Sequence, residues 1–103
     1  MYVGRDWDPM NPDESQVLSL NFTNDLATGD TLQSVVWLIE VVTGEDADPD
    51  SRLDGSPGIS GAVASQRVTE LVAGTGYALA ATVTTSQTNV LTLWSRVFCQ
   101  EPA

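Results

Sequence analysis

The sequence predicts an all-β domain built as a sandwich of two sheets and entered by an extended arm. Three observations carry this reading. Apolar residues recur at every second position through several short segments. Clusters of Gly, Asn, Asp and Ser separate those segments, as turns require. No segment shows the three-and-four spacing of an amphipathic helix.

The elements follow in order. Residues 1–15, "MYVGRDWDPMNPDES", form the arm, and residues 16–103 form the sandwich domain. Pro9 and Pro12 disfavour helix, and the residue before each is pushed toward extended geometry. The arm carries Tyr2, Trp7 and Met10, which are costly to leave in water. It is therefore expected to pack mainly on another chain, with Trp7 as the anchor. "QVLSLNF" then places Leu18, Leu20 and Phe22 at period two, a half-buried strand. Residues 24–30, "NDLATGD", are a turn. "TLQSVVWLIEVVTG" is rich in Val and Ile, so it reads as strand rather than helix. Its nearly continuous apolar run argues against an edge strand exposed on one face.

Residues 43–61 form the longest loop, with an acidic part at 43–58. "AVASQRVTELV" is the next strand and "AGTG" the next turn. "GTGYALAATVTTSQTNVLTLW" is a hairpin: Tyr77, Leu79, Ala81 and Val83 share one face, Ser86–Asn89 breaks the run, and Leu91 and Leu93 resume it. The last strand, "NVLTLWSRVFC", is apolar on both sides. Leu91, Leu93, Val97 and Cys99 lie on the core face, which leaves Val90, Trp94 and Phe98 outward. Trp94 and Phe98, together with Tyr2, Trp7 and Met10, are the candidate partner contacts. At about a hundred residues the expected architecture is an immunoglobulin-like β-sandwich, and Tyr77, opening a strand just after a Gly turn, is placed to make a tyrosine corner.

Charge excludes several functions. Fourteen acidic residues face four arginines and no lysine or histidine, a net charge of -10. Arg5, Arg52, Arg67 and Arg96 are scattered, so no cationic patch for nucleic acid or an anionic membrane is expected. The acidity suits a basic protein partner. Cys99 is the only cysteine, so no intrachain disulfide can form, and its apolar strand marks it as a buried small hydrophobe. No apolar run reaches the length of a membrane span, and the N-terminal residues lack a signal-peptide layout, so use without export is expected.

The sequence offers little chemistry. Without histidine the usual serine- and cysteine-based catalysis is missing. "GSPGISG" has no lysine and no helix follows it, so it is no phosphate loop. Asp46, Asp48 and Asp50 alternate like the start of a calcium loop, but the sixth position is Ser51 and the twelfth is Pro57. A solvated acidic loop is expected, with a weak calcium site as the alternative. The acids other than Glu40 and Glu70 sit in the arm or in turns, a poor basis for a two-carboxylate cleft. No catalytic residue, metal or cofactor is expected, and the chain is read as a non-enzyme.

Two stretches carry a family resemblance. "DPMNPDESQVLSLNFTNDLATGDTLQSVVW" resembles the start of small tailed-phage virion proteins labelled phage fibre–tail adaptor. The matching features are Pro12-Asp13-Glu14, Phe22, Leu26 to Thr31 and Trp37. "VTELVAGTGYALAATVTTSQTNVLTL" is similar to that family's second half at Gly74, Tyr77, Val83, Thr84 and Thr85. The resemblance spans roughly residues 8–98, while the acidic loop 43–58 is longer than the family pattern. It implies a structural virion protein, made in the host bacterial cytoplasm. Its partners would be other virion proteins, either the major capsid protein or a tail or fibre protein, with self-association on the particle. Three functions compete. The first is a capsid decoration subunit bound to the outside of the shell. The second is an adaptor joining fibres to tail or neck. The third is a carbohydrate-binding surface domain using exposed Trp7 or Trp94. Copy number in purified particles separates the first two.

Overall fold

The computed structural model describes residues 1–101 and is nearly all β. Its strands are β1 (Ser15–Asn21), β2 (Leu32–Thr43), β3 (Leu53–Ser60), β4 (Val63–Thr69), β5 (Thr75–Thr85) and β6 (Val90–Cys99). They form two antiparallel sheets, ordered β1-β4-β3 and β2-β5-β6, packed face to face as a sandwich.

The hairpin runs in unbroken register from Thr75 opposite Cys99 to Thr84 opposite Val90. Thr88, with a left-handed φ of 63°, closes its turn. Tyr77, Leu79, Ala81 and Val83 all point inward and are fully buried. Trp37 and Ile39 of β2 and Leu93, Val97 and Cys99 of β6 join them. The facing sheet supplies Leu18, Leu20, Ala64 and Val68, while Phe22 and Leu71 fill the ends. Period-two burial of this kind fixes the register, because a one-residue slip would turn every core side chain to solvent.

Three expectations are corrected. Part of the long loop is strand. β3 pairs with β4 at Leu53–Asp54 and again at Gly58–Ser60, with an irregular stretch between. The buried Gln66 side chain holds that stretch, its Nε2 donating to the carbonyls of Asp54 and Gly55 at 3.1 and 3.3 Å. β3 buries none of its residues fully, so it has no apolar alternation to betray it, and its Pro and Gly sit where an edge strand tolerates them.

β2 is an edge strand. It pairs with β5 on one side alone, and Val36, Leu38 and Val42 are more than half exposed on its outer face. Its apolar run reflects an exposed apolar face rather than burial on both sides.

The arm packs on its own chain. It lies parallel to β6 along the edge away from β5. Trp94 N–H donates to the Met1 carbonyl, and Val3, Trp7 and Met10 donate to the carbonyls of Trp94, Arg96 and Phe98, at 2.9–3.1 Å. Without the arm, that edge of β6 would present a row of unpaired backbone groups. Met10 is fully buried in the core, and the half-buried Trp7 donates its indole N–H to the Ser19 carbonyl of β1 at 3.3 Å. The arm thus bridges the two sheets, which explains its apolar residues without a second chain.

The loop between β2 and β3 is also pinned. Asp46 accepts two bonds from Arg52, at 2.9 and 3.1 Å, and one from the Tyr77 hydroxyl at 2.8 Å. Tyr77 in turn accepts from the Val72 N–H at 2.9 Å, the tyrosine corner expected from the sequence. Gly44 allows the close approach: its φ is 81°, and a Cβ there would lie 2.6 Å from the Gly74 carbonyl oxygen.

Candidate docking face

The two sheets differ on their outer faces. Across β1 and β4 the outward rows pair Val17 with Arg67, Ser19 with Ser65 and Asn21 with Val63, a largely polar surface. The outer face of β2-β5-β6 is apolar. Register sets its rows: Val36–Thr82–Thr92, then Leu38–Ala80–Trp94, then Glu40–Ala78–Arg96, with Val42 and Phe98 at the end near Gly76. Val36 is 62% exposed, Leu38 58%, Val42 51% and Phe98 42%. Small residues on the central strand and large ones on both flanks make a shallow trough of about 390 Å³ over Ala78 and Ala80. A larger hollow, about 490 Å³ between the arm and β1, has a mixed lining, with Val3, Trp7 and Leu20 beside Arg5, Asp6, Asp8 and Asn21.

The five sequence-predicted contact residues separate into two groups. Trp94 and Phe98 point outward, and both lie on the apolar face. Tyr2 also reaches it, with its ring centroid 4.8 Å from that of Trp94. Met10 is sealed in the core and offers no docking surface in this fold, while the half-buried Trp7 bridges the sheets away from the apolar face and lines the hollow beside β1. Val36, Leu38 and Val42 were not singled out from the sequence. Their signal was present in the apolar run of β2, which fits either full burial or an apolar outer face.

One charged row, Glu40–Ala78–Arg96, crosses this face. Arg96 donates to Asp6 at 3.3 Å, and its guanidinium carbon sits 5.0 Å from the Tyr2 ring centre and 5.9 Å from that of Trp94. The Tyr2 hydroxyl donates to Asp6 at 2.6 Å and, with Arg96, holds the Asp6 carboxyl below its ordinary range. Glu40, on the opposite flank, is exposed and makes no side-chain hydrogen bond among the described residues.

Chemistry elsewhere is structural. Burial, with Glu101 and Glu14 nearby, pushes the Cys99 thiol up, away from the thiolate a nucleophile needs. Arg52 holds Asp46 well below the usual carboxylate range, against its burial, helped by the Asp48 N–H and Tyr77. Turned inward to these donors, Asp46 no longer alternates with Asp48 and Asp50 as a calcium loop would, and Pro49–Arg52 form a 3₁₀ turn. Among the described residues, no three His, Cys, Asp or Glu side chains gather where they could hold a metal.

No protein-family model matches the chain, no curated protein is detectably similar to it, and no solved structure matches its fold.

Proposed function

We propose that this chain is a non-enzymatic structural subunit that docks on a protein assembly through the outer face of its β2-β5-β6 sheet. One observation carries the reading: large apolar side chains cluster in water on the outer face of β2-β5-β6, whereas on the outward rows of β1 and β4 the exposed Val17 stands among Ser19, Ser65, Asn21 and Arg67. Val36, Leu38, Val42 and Phe98, with Trp94 beside them, expose on the order of 400 Å² of apolar surface, the size at which a monomer's patch marks an interaction site. Covering it would contribute about 10 kcal/mol at ~25 cal/mol per Å², before the cost of association. That cost, ~4–15 kcal/mol, leaves each contact weak. Weak single contacts suit a subunit present in many copies, where multivalency supplies the strength.

The assembly we propose is a tailed-phage virion, with the chain as a decoration subunit on the outside of the shell. The residue pattern of Pro12-Asp13-Glu14, Leu26 to Thr31 and Gly74–Tyr77 supports the virion, and strong acidity suits a surface facing solvent rather than packaged DNA. The strand orders β1-β4-β3 and β2-β5-β6 parallel the B-E-D and C-F-G orders of immunoglobulin-like sandwiches, and the tyrosine corner falls on the strand equivalent to F. This supports Ig-like connectivity. Sugar stacking is less favoured, because Tyr2 and Arg96 already occupy space against Trp94.

The test is a stained gel of purified particles, with and without Leu38→Glu. A band approaching the major capsid protein, lost in the folded variant, is the expected result. A faint band lost in the variant transfers the face to an adaptor. Absence of the wild-type chain from particles refutes the virion reading.

A further inference from the structure

We propose that the docking face is self-complementary and that its occupant is a second copy of this chain. The two copies pack face to face about a two-fold axis running along β5 over Ala78 and Ala80. The proposal rests on the reading of this face as a docking surface and adds its partner.

The argument is geometric. A two-fold axis parallel to the central strand exchanges the flanks, so β2 of each copy lies over the partner's β6. Both sheets keep their strand directions within the aligned class of packing. The rows then meet in a definite way. Glu40 and Arg96 share one row, on opposite flanks of Ala78. The exchange brings Glu40 against the partner's Arg96, and Arg96 against the partner's Glu40. One row over, Leu38 meets the partner's Trp94, and at the end of the face Val42 meets the partner's Phe98.

Within one copy, Glu40 has no partner among the described residues, although it stands in an apolar surface. Arg96 uses only its Nε on Asp6, which leaves the rest of its donor fork free. An axis across the strands would instead set β2 over the partner's β2 and oppose like charges. The remaining acids do not line this trough: its lining is Leu38, Glu40, Val42, Ala78, Ala80, Trp94 and Arg96. At ~0.15 M salt the screening length is about 8 Å, so acids of the two chains farther apart than that oppose contact only weakly.

The area limits the strength. Three strands and the arm, about 4.8 Å apart, over eight residues at ~3.4 Å each, cover a plane of roughly 19 by 27 Å. That lies at or below the small end of specific interfaces, about 600 Å² per partner. The free dimer is therefore weak, forming at micromolar concentration or above, and a surface that concentrates the subunit would drive pairing.

Sedimentation equilibrium on the full chain from about 1 µM to about 1 mM, at ~0.15 M salt, tests this. The wild type is expected to show a monomer–dimer equilibrium. Glu40→Arg and Arg96→Glu should each weaken it at least ~10-fold, because each sets like charges together at both symmetric contacts. An equimolar mixture of the two variants should dimerise again. In the mixed pair the introduced arginine of one chain faces the introduced glutamate of the other, while the unchanged Arg96 of the first faces the unchanged Glu40 of the second. Arg96→Glu can also disturb the arm through Asp6. Ala80→Asp touches neither and places two carboxylates beside the axis, so it must monomerise as well. A chain monomeric throughout, a dimer indifferent to Ala80→Asp, or a mixture no tighter than its components overturns the proposal. If the wild type is monomeric while Leu38→Glu still loses particle binding, self-pairing falls and the docking face stands with a different protein on it.

Discussion

Tyr77→Phe isolates the corner that ties the acidic loop to the core. The ring of Tyr77 is fully buried and would stay so. The variant deletes one oxygen and two hydrogen bonds, one accepted from the Val72 N–H at 2.9 Å and one donated to Asp46 at 2.8 Å. The first leaves a half-buried N–H that water can partly reach, a loss near 1 kcal/mol; the second involves a charged acceptor, worth roughly 1.5–3 kcal/mol. The sum, about 2.5–4 kcal/mol, would lower the melting temperature of a domain this size by ~10–30 °C.

The penalty depends on pH. Arg52 first, and then the Asp48 N–H and Tyr77, depress the Asp46 carboxyl in the folded state. Stability from a depressed carboxylate is present above its unfolded value and lost as pH falls through the folded one. The gap between wild type and variant should be full above about pH 4 and shrink as acid protonates Asp46. Urea unfolding at pH 7 and again near pH 2 reads both effects. A penalty below about 0.5 kcal/mol at pH 7 would show that the hydroxyl does not anchor the loop.

Two further outcomes follow from the core and from the turns. Met10→Ala should cost about 2–4 kcal/mol in urea unfolding, as for a buried Met truncated in a packed core; no loss would mean that the arm is not part of the fold. Asp30→Asn should lower the melting temperature at pH 6 but not near pH 2. Burial works against the Asp30 charge, but the hydroxyls of Ser86 and Thr85 and the N–H groups of Gln87 and Thr31 outweigh it and bring its pKa from 3.8 to about 2. Its contribution is thus present above pH 4 and lost as pH falls through about 2. A gap that persists at pH 2 would assign the effect to packing instead.

What the sequence disclosed follows from where each residue spends its apolar surface. Tyr77, Leu79, Ala81 and Val83 face one uniform environment, so period two is enough to place them. β3 escaped because an edge strand with no fully buried residue is held by backbone pairing and by Gln66, and neither leaves an apolar period. The arm misled for a related reason. Met10 has only two prolines and polar residues for neighbours within two positions, yet β6 lies beside it in space and takes its backbone bonds. Its destination was a fact about strand order, and local sequence carries none of that.

β2 is the instructive case, because its sequence was ambiguous in a way that bears on function. An unbroken apolar strand is stable in two settings: between two covering layers, or at a surface that another molecule covers. The first needs a layer over each face, and Val36, Leu38 and Val42 stand more than half exposed on the outer one. The second fits what surrounds it. Trp94 and Phe98 continue the same face from the far side of β5, and Ala78 and Ala80 keep the space between them open. A strand kept apolar for folding alone would need only its inward residues, Leu32, Trp37 and Ile39 with Val35 and Val41 packed beside them. Val36, Leu38 and Val42 add nothing to that core and raise the risk of aggregation. Their presence is what the proposed docking face accounts for, and under that proposal the Glu40–Ala78–Arg96 row would set a positive group of the partner against Glu40 and a negative one against Arg96.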